Sequence, residues 1–148
     1  MTVLSCFKTF DVRGVVGTEL SEAIAYRIGR AFAQRLAARK IVVGSDARLS
    51  GPSLKRALAE GLMDGGADVI DIGLSGTEEV YFATFFLGVD GGIEVTASHN
   101  PIEHNGFKFI GPNARPFGLD GEFQAFRKMV EDAAFAKVQH RGKLSATS

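Results

Sequence analysis

Six consecutive residues, Thr96-Ala97-Ser98-His99-Asn100-Pro101, set a hydroxyl, an imidazole and an amide side chain beside a rigid proline. They break an apolar run, Gly92-Ile93-Glu94-Val95, that reads as a strand, so the polar residues fall on a loop at a strand end. Lys108 follows Ser98 by ten residues, just past an Asn105-Gly106 turn signal. A serine becomes a nucleophile when a base or acceptor helps to remove its proton. His99 and Lys108 are the candidates for that work. The residues around Ser98 fit none of the better-known patterns: no Gly-x-Ser-x-Gly elbow, no Ser-x-x-Lys and no Gly-x-x-x-x-Gly-Lys-Ser/Thr phosphate loop. Local chemistry therefore leaves two readings open, a serine nucleophile and a plain turn residue, since Ser, Asn and Pro all stabilise turns.

The elements that must position this loop follow from hydrophobic period. Residues 3–16 read as a half-buried strand, with Phe7, Phe10 and Val12 roughly alternating before Arg13-Gly14 turns the chain. Residues 20–38 form a helix whose stripe is Leu20, Ile24, Ile28, Ala31, Phe32 and Leu36, with Ser21 as its cap. Ile41-Val42-Val43 centre a strand over 40–45, and a polar loop over 45–51 leads into a helix from Pro52 to Met63. Gly65-Gly66 ends that helix through a left-handed cap, and 68–72 form the next strand. Thr77 caps a helix running to Leu87. Its almost continuous apolar character, Phe85-Phe86 included, predicts deep burial. The strand that ends at Val95 delivers Ser98. Phe107–Ile110 is a short strand after the Asn105-Gly106 turn, and 119–135 form a last helix with Leu119, Phe123, Phe126 and Val130 on one side. His104 is expected to be exposed, and the polar tail from Lys137 is expected to fray.

Strands that alternate with helices predict a layered three-layer α/β/α domain with a mixed, mostly parallel sheet of about four strands. Ligand chemistry in such sheets sits at the carboxyl ends of the strands. Loops 45–51, 73–77 and 96–105 all fall there, so Arg48, Ser75 and Ser98 are expected on one rim. No Gly-x-Gly-x-x-Gly follows a strand, which argues against a dinucleotide site.

Length and charge bound the function. At 148 residues this is one domain with room for a proper core. Lys+Arg and Asp+Glu balance at 17 each, which argues against general nucleic-acid binding and a polybasic membrane anchor. Neither a bilayer-spanning run nor a signal-peptide pattern is present. Cys6 stands alone, which excludes a disulfide framework and a zinc cluster; it fits a small buried hydrophobe in a cytoplasmic protein.

The string Thr96-Ala97-Ser98-His99-Asn100-Pro101 with Asn105-Gly106-Phe107-Lys108 resembles the phosphoserine loop of the α-D-phosphohexomutases. Phe10-Asp11-Val12-Arg13-Gly14, Gly44-Ser45-Asp46-Ala47-Arg48-Leu49-Ser50-Gly51 and Gly73-Leu74-Ser75-Gly76-Thr77-Glu78-Glu79 match in the same order, nearly end to end. The resemblance implies that Ser98 carries a phosphoryl group and exchanges it with a hexose monophosphate through a hexose 1,6-bisphosphate, which also serves as activator. Lys108 matches the acid/base or charge-stabilising lysine, and Arg13 an arginine near the phosphoserine. His99 matches a catalytic loop residue, while Arg48 and Asn100 fall at substrate-binding positions. A magnesium ion is implied, with the phosphorylated Ser98 as its ligand and an Asp-x-Asp-x-Asp loop supplying the rest. This chain has Phe10 where the family often has tyrosine, so a polar contact is absent.

The resemblance also places residues 1–136 as domain one and 137–148 as a tail or interdomain linker. Domains two to four, which hold the metal loop and the sugar-reading loops, lie outside this stretch. On this reading the isolated chain is catalytically incomplete, and faces normally covered by the other domains favour self-association. The alternative from a different class is a non-catalytic module that binds sugar phosphates or another protein. A serine hydrolase is a weaker third.

Overall fold

Short β-branched stretches alternate with helices along the computed structural model, which describes residues 4–146. Val3 of the expected opening strand and Thr147-Ser148 of the expected tail lie outside the described residues. The order is β1 (Val12–Val15), α1 (Glu22–Leu36), β2 (Lys40–Ser45), α2 (Gly51–Asp64), β3 (Asp68–Leu74), α3 (Thr77–Phe86), β4 (Gly91–Val95), β5 (His104–Ile110), a short 3-10 turn (Pro112–Ala114), α4 (Glu122–Asp132) and β6 (Leu144–Ala146). The strands form one mixed sheet in the order β1-β5-β4-β2-β3-β6. β4, β2, β3 and β6 run parallel, while β5 is antiparallel to both β4 and β1.

The sheet has six strands rather than about four. β1, only 4 residues long, is the end of the expected opening strand over 3–16, and β6, only 3 residues long, is too short to show a period of its own and lies in the tail expected to fray. Two expected turns are strand instead. Arg13-Gly14 lies inside β1, paired with Gly106 and Asn105, and Asn105-Gly106 lies inside β5. The tail from Lys137 does not fray where it reaches the sheet. The Gly142 amide donates to the Met63 carbonyl at 2.9 Å, and β6 then pairs with β3.

Successive side chains of β2 point to opposite faces, so its apolar run feeds two cores. Ile41 and Val43 join the larger core with α1, α2 and α4, while Val42 joins a smaller one with Val80, Ala83, Val89 and Ile110. The larger core is rich in phenylalanine. Phe126 is fully buried and lies 5.1 Å from Phe109, 5.4 Å from Phe117 and 5.6 Å from Phe123 between ring centroids. Such aromatic pairs add about 0.5–1.5 kcal/mol each beyond their area burial. Cys6 is fully buried, and burial pushes its thiol up to about 11.

Helix ends mostly follow local chemistry. Ser21 Oγ accepts from the Ile24 amide at 3.2 Å and caps α1. Gly66, with φ of +93°, supplies the left-handed residue after α2. At α3 the N-cap is Gly76 rather than Thr77, and the Gly76 amide donates to Glu79 Oε1 at 2.9 Å. The expectation that α3 is deeply buried is corrected as well. Val80, Ala83 and Thr84 face the sheet, but Phe82, Phe85 and Phe86 are 64%, 68% and 71% exposed. A sheet covers only one side of a helix, however apolar the other side is.

Candidate functional site

β2 passes through α2 to β3 on one side of it, while β4 lies on its other side. Helices α2 and α3 pack on opposite faces of the sheet. The crevice at the carboxyl ends of β2 and β4 is therefore a switch point, the usual ligand position in open α/β sheets. Two loops meet there, residues 46–50 after β2 and 96–103 after β4.

The loop after β4 is held by a chain of short bonds. Thr96 Oγ1 donates to Asp46 Oδ2 at 2.6 Å and accepts from the Ser98 amide at 3.0 Å. Asn100 donates to the Ala97 carbonyl from its side chain at 2.7 Å and from its amide at 3.1 Å. Ser98 itself is exposed and adopts φ of +56°, a left-handed conformation. For a residue with a Cβ that conformation costs about 1–2 kcal/mol. The surrounding bonds must offset it. His99 is exposed beside it.

Arg48 reaches across from the β2 loop. One terminal nitrogen donates to the Pro101 and His104 carbonyls at 2.7 and 3.0 Å, and the other to those of Ser98 and Asn100, both at 2.8 Å. Its Nε lies 3.6 Å from Asp46 Oδ2, and its side chain is 12% exposed. Behind it, the fully buried Asn105 donates to Ser50 Oγ at 2.8 Å, tying β5 to the start of α2. His104 is half-buried rather than exposed, and its Nδ1 is buried without a partner.

Arg13 and Lys108 come together in a neighbouring cleft of about 440 Å³ with Lys8, Phe10, Asp11 and Tyr81. Strand pairing explains this. Arg13 opposes Gly106 and Lys108 opposes Glu94, which puts both long side chains on the α3 face of the sheet. Arg13 Nε lies 3.3 Å from Asp11 Oδ2. Ser98 is not among the residues lining this cleft. Of the expected rim, Arg48 and Ser98 do meet on the strand-end loops, together with Asn100, while Arg13 and Lys108 line the neighbouring cleft.

Ser75 does not face solvent on the rim. It is buried, and its Oγ donates to Glu94 Oε1 at 2.9 Å. Glu94 is fully buried with Oε2 unpartnered, and burial holds its carboxyl up at about 7, with the charges of Asp46 and Glu79 adding to the effect. The residue pattern did not lead to Glu94, Asp46 or Thr96. The available signal was one acidic letter inside the apolar run Gly92-Ile93-Glu94-Val95.

Magnesium was implied with Ser98 as a ligand. Among the described residues no group of three His, Cys, Asp or Glu side chains could hold a metal ion. Asp46, the nearest carboxylate in the loop network, already accepts from Thr96 and from the Arg48 amide. Magnesium asks for octahedral oxygen ligation. The residues present do not build such a site, and a phosphate on Ser98 would give at most one arm of it. Among the described residues no helix is long and apolar enough to cross a membrane.

The fold defines an α/β/α domain with a crevice between its strand-end loops. This chain belongs to the phosphoglucomutase/phosphomannomutase family, whose α/β/α domain I model matches residues 5–135. It is 57% identical to a phosphomannomutase of Escherichia coli over 150 aligned residues, covering 100% of this chain and 33% of that protein. A Klebsiella pneumoniae protein named phosphomannomutase is also 57% identical, with 100% of this chain and 96% of that protein covered. A crystal structure of a phosphoglucomutase/phosphomannomutase family protein from Burkholderia thailandensis superposes with a TM-score of 0.85 at 38% identity, over 99% of this chain and 33% of that one. The chain thus spans about a third of the length of the Escherichia coli relative.

Proposed function

We propose that this chain is the phosphoserine domain of a phosphomannomutase-type enzyme that interconverts hexose 6-phosphates and hexose 1-phosphates of mannose or glucose. The observation that carries the reading is the presentation of Ser98. It is exposed on a left-handed residue of a tightly bonded loop, at the switch point of the sheet. In the forward step the bond from phosphorus to Ser98 Oγ breaks and a bond to a sugar hydroxyl oxygen forms. The proton of that hydroxyl ends on Ser98 Oγ, and the Lys108 ammonium stabilises the negative charge on the transferring oxygens. The hexose 1,6-bisphosphate turns over, and its other phosphate returns to the serine. Arg13 and His99 stabilise the transferred oxygens, with charge neutralisation as the main requirement of phosphoryl transfer. Asn100 shapes the pocket from its loop. This stretch offers magnesium no ligand set of its own among the described residues; an ion held mainly by residues elsewhere would add charge neutralisation at a phosphate on Ser98.

In this reading residues 1–136 carry the phosphoserine site, and 137–148, part of which pairs with β3, leads on to further domains that hold the metal and read the sugar. The setting is cytoplasmic. Alone, the chain is expected to lack mutase turnover. Intact mass before and after glucose 1,6-bisphosphate with magnesium tests the reading. Gain of one phosphoryl group in the natural chain and none in Ser98→Ala supports it. Equal masses in both refute Ser98 as a phosphoryl carrier in this chain.

One observation favours a second reading, a protein-binding module. Phe82 and Phe86 stack 5.4 Å apart on the exposed face of α3. Self-association through that face predicts a dimer in sedimentation at micromolar concentration that Phe86→Asp removes and Ser98→Ala leaves intact. A monomer at every concentration excludes self-association.

A further inference from the structure

We infer that Arg48 acts as an internal clamp on the Ser98 loop and has no donor left for a substrate phosphate. A guanidinium has five N–H donors in a planar fork. Four of them are satisfied by the carbonyls of Ser98, Asn100, Pro101 and His104, at 2.7 to 3.0 Å. The fifth, on Nε, is buried without a partner and faces Asp46 Oδ2 at 3.6 Å. Four of the five are thus engaged and the fifth is buried, on a side chain that is 12% exposed.

The carbonyls it gathers span the whole turn from Ser98 to His104, so one cation closes the loop at both ends. Neutralising four converging carbonyl dipoles requires a buried positive charge, and Asp46 offsets that charge from behind. Asp46 also accepts from Thr96, which holds the Ser98 amide, so one carboxylate serves both halves of the clamp. To grip a phosphate, Arg48 would have to release Ser98 and Asn100 and surrender the conformation that presents the serine hydroxyl. Lysine cannot substitute. Its single ammonium has three donors in a different geometry and cannot bond four carbonyls in one plane.

Arg48 is therefore a positioning residue that works through Ser98. The clamp itself stands on the geometry alone. Its consequence for phosphoryl transfer rests on the function proposed above, and the experiment keeps the two apart.

The first arm uses the unaltered 148-residue chain. In nitrogen-15 NMR spectra the terminal N–H protons of Arg48 are expected as separate, slowly exchanging signals that do not move when inorganic phosphate is added. A single rotation-averaged signal, or one that shifts with phosphate, overturns the clamp. The second arm is amide hydrogen exchange in Arg48→Lys. Amides of residues 98–104 are expected to exchange at least tenfold faster, with α1 and β2 unchanged. Unchanged loop exchange overturns the proposal. The third arm measures Ser98 phosphorylation by glucose 1,6-bisphosphate in the same variant. A rate lowered at least tenfold at an unchanged half-saturating concentration supports positioning, and a raised half-saturating concentration at an unchanged rate makes Arg48 a ligand group. If the natural chain takes up no phosphate at all, the proposed function fails, while the first two arms still decide the clamp.

Discussion

Glu94 carries an acid into a wall of apolar strand. Gly44 and Gly92 flank its side of the sheet, and a Cβ on Gly44 would meet both Ser75 Oγ and Glu94 Oε1. The carboxyl therefore has one hydroxyl donor and no water-sized space on that flank. Its folded pKa of about 7 lies above the ordinary value of 4.5, so folding takes up a proton between those two values. The stability this proton contributes is fully present below pH 4.5, is lost as pH rises through 7, and stays lost above it. At about 1.4 kcal/mol per pKa unit, the loss is on the order of 3 kcal/mol. Glu94→Gln keeps an acceptor for Ser75 and removes the titration. Its urea midpoint is expected to exceed that of the natural chain at pH 8 and to match it at about pH 4, below the ordinary carboxyl value. A natural chain whose stability is flat between pH 5 and 8 would contradict this account.

At the scale of elements, α1 and α2 pack with their backbones in contact. A Cβ on Gly29 would strike the Leu58 carbonyl, and one on Gly61 would strike the Tyr26 carbonyl. Gly61→Ala gains about 1 kcal/mol of helix propensity in isolation. The obstacle is backbone rather than a movable side chain, so the helices must separate and the overpacking cost of about 1–3 kcal/mol prevails. The variant is expected to melt lower than the natural chain. A melting temperature equal or higher would show that the helix pair can slide apart freely. These two helices were legible because their apolar residues recur at three and four. α3 was legible as a helix but its buried face was not, because a run that is apolar on every side has no stripe to read, and only the sheet decides which residues it covers.

Across the whole molecule, residues 141–146 close the β3 edge of the sheet. Lys143 accepts from the Val69 amide through its carbonyl at 2.8 Å and donates to Asp68 Oδ1 at 2.9 Å. Arg141 pairs with Asp64 at 2.8 Å and also with Glu60, but it is half exposed, and such pairs contribute little. Ending the chain after His140 leaves backbone groups of β3 unpaired, at a cost on the order of 1–3 kcal/mol. The bare edge also becomes a template for another strand. A lower urea midpoint and rising light scatter at micromolar concentration are the expected results. An unchanged midpoint would mean that β6 merely rests on the sheet.

The α/β/α layering, the order of helices and central strands, and the placing of Ser98 on a strand-end loop all came from the sequence alone, because hydrophobic period and glycine breaks are local properties. The four-carbonyl grip of Arg48, the meeting of Arg13 with Lys108, the buried Ser75–Glu94 bond and the docking of β6 needed the tertiary structure. Each joins residues far apart along the chain: Arg48 and Ser98 by 50 positions, Ser75 and Glu94 by 19. Strand order and register bring such residues together. Both are set by the global packing of two cores against one sheet, which no local run of residues records.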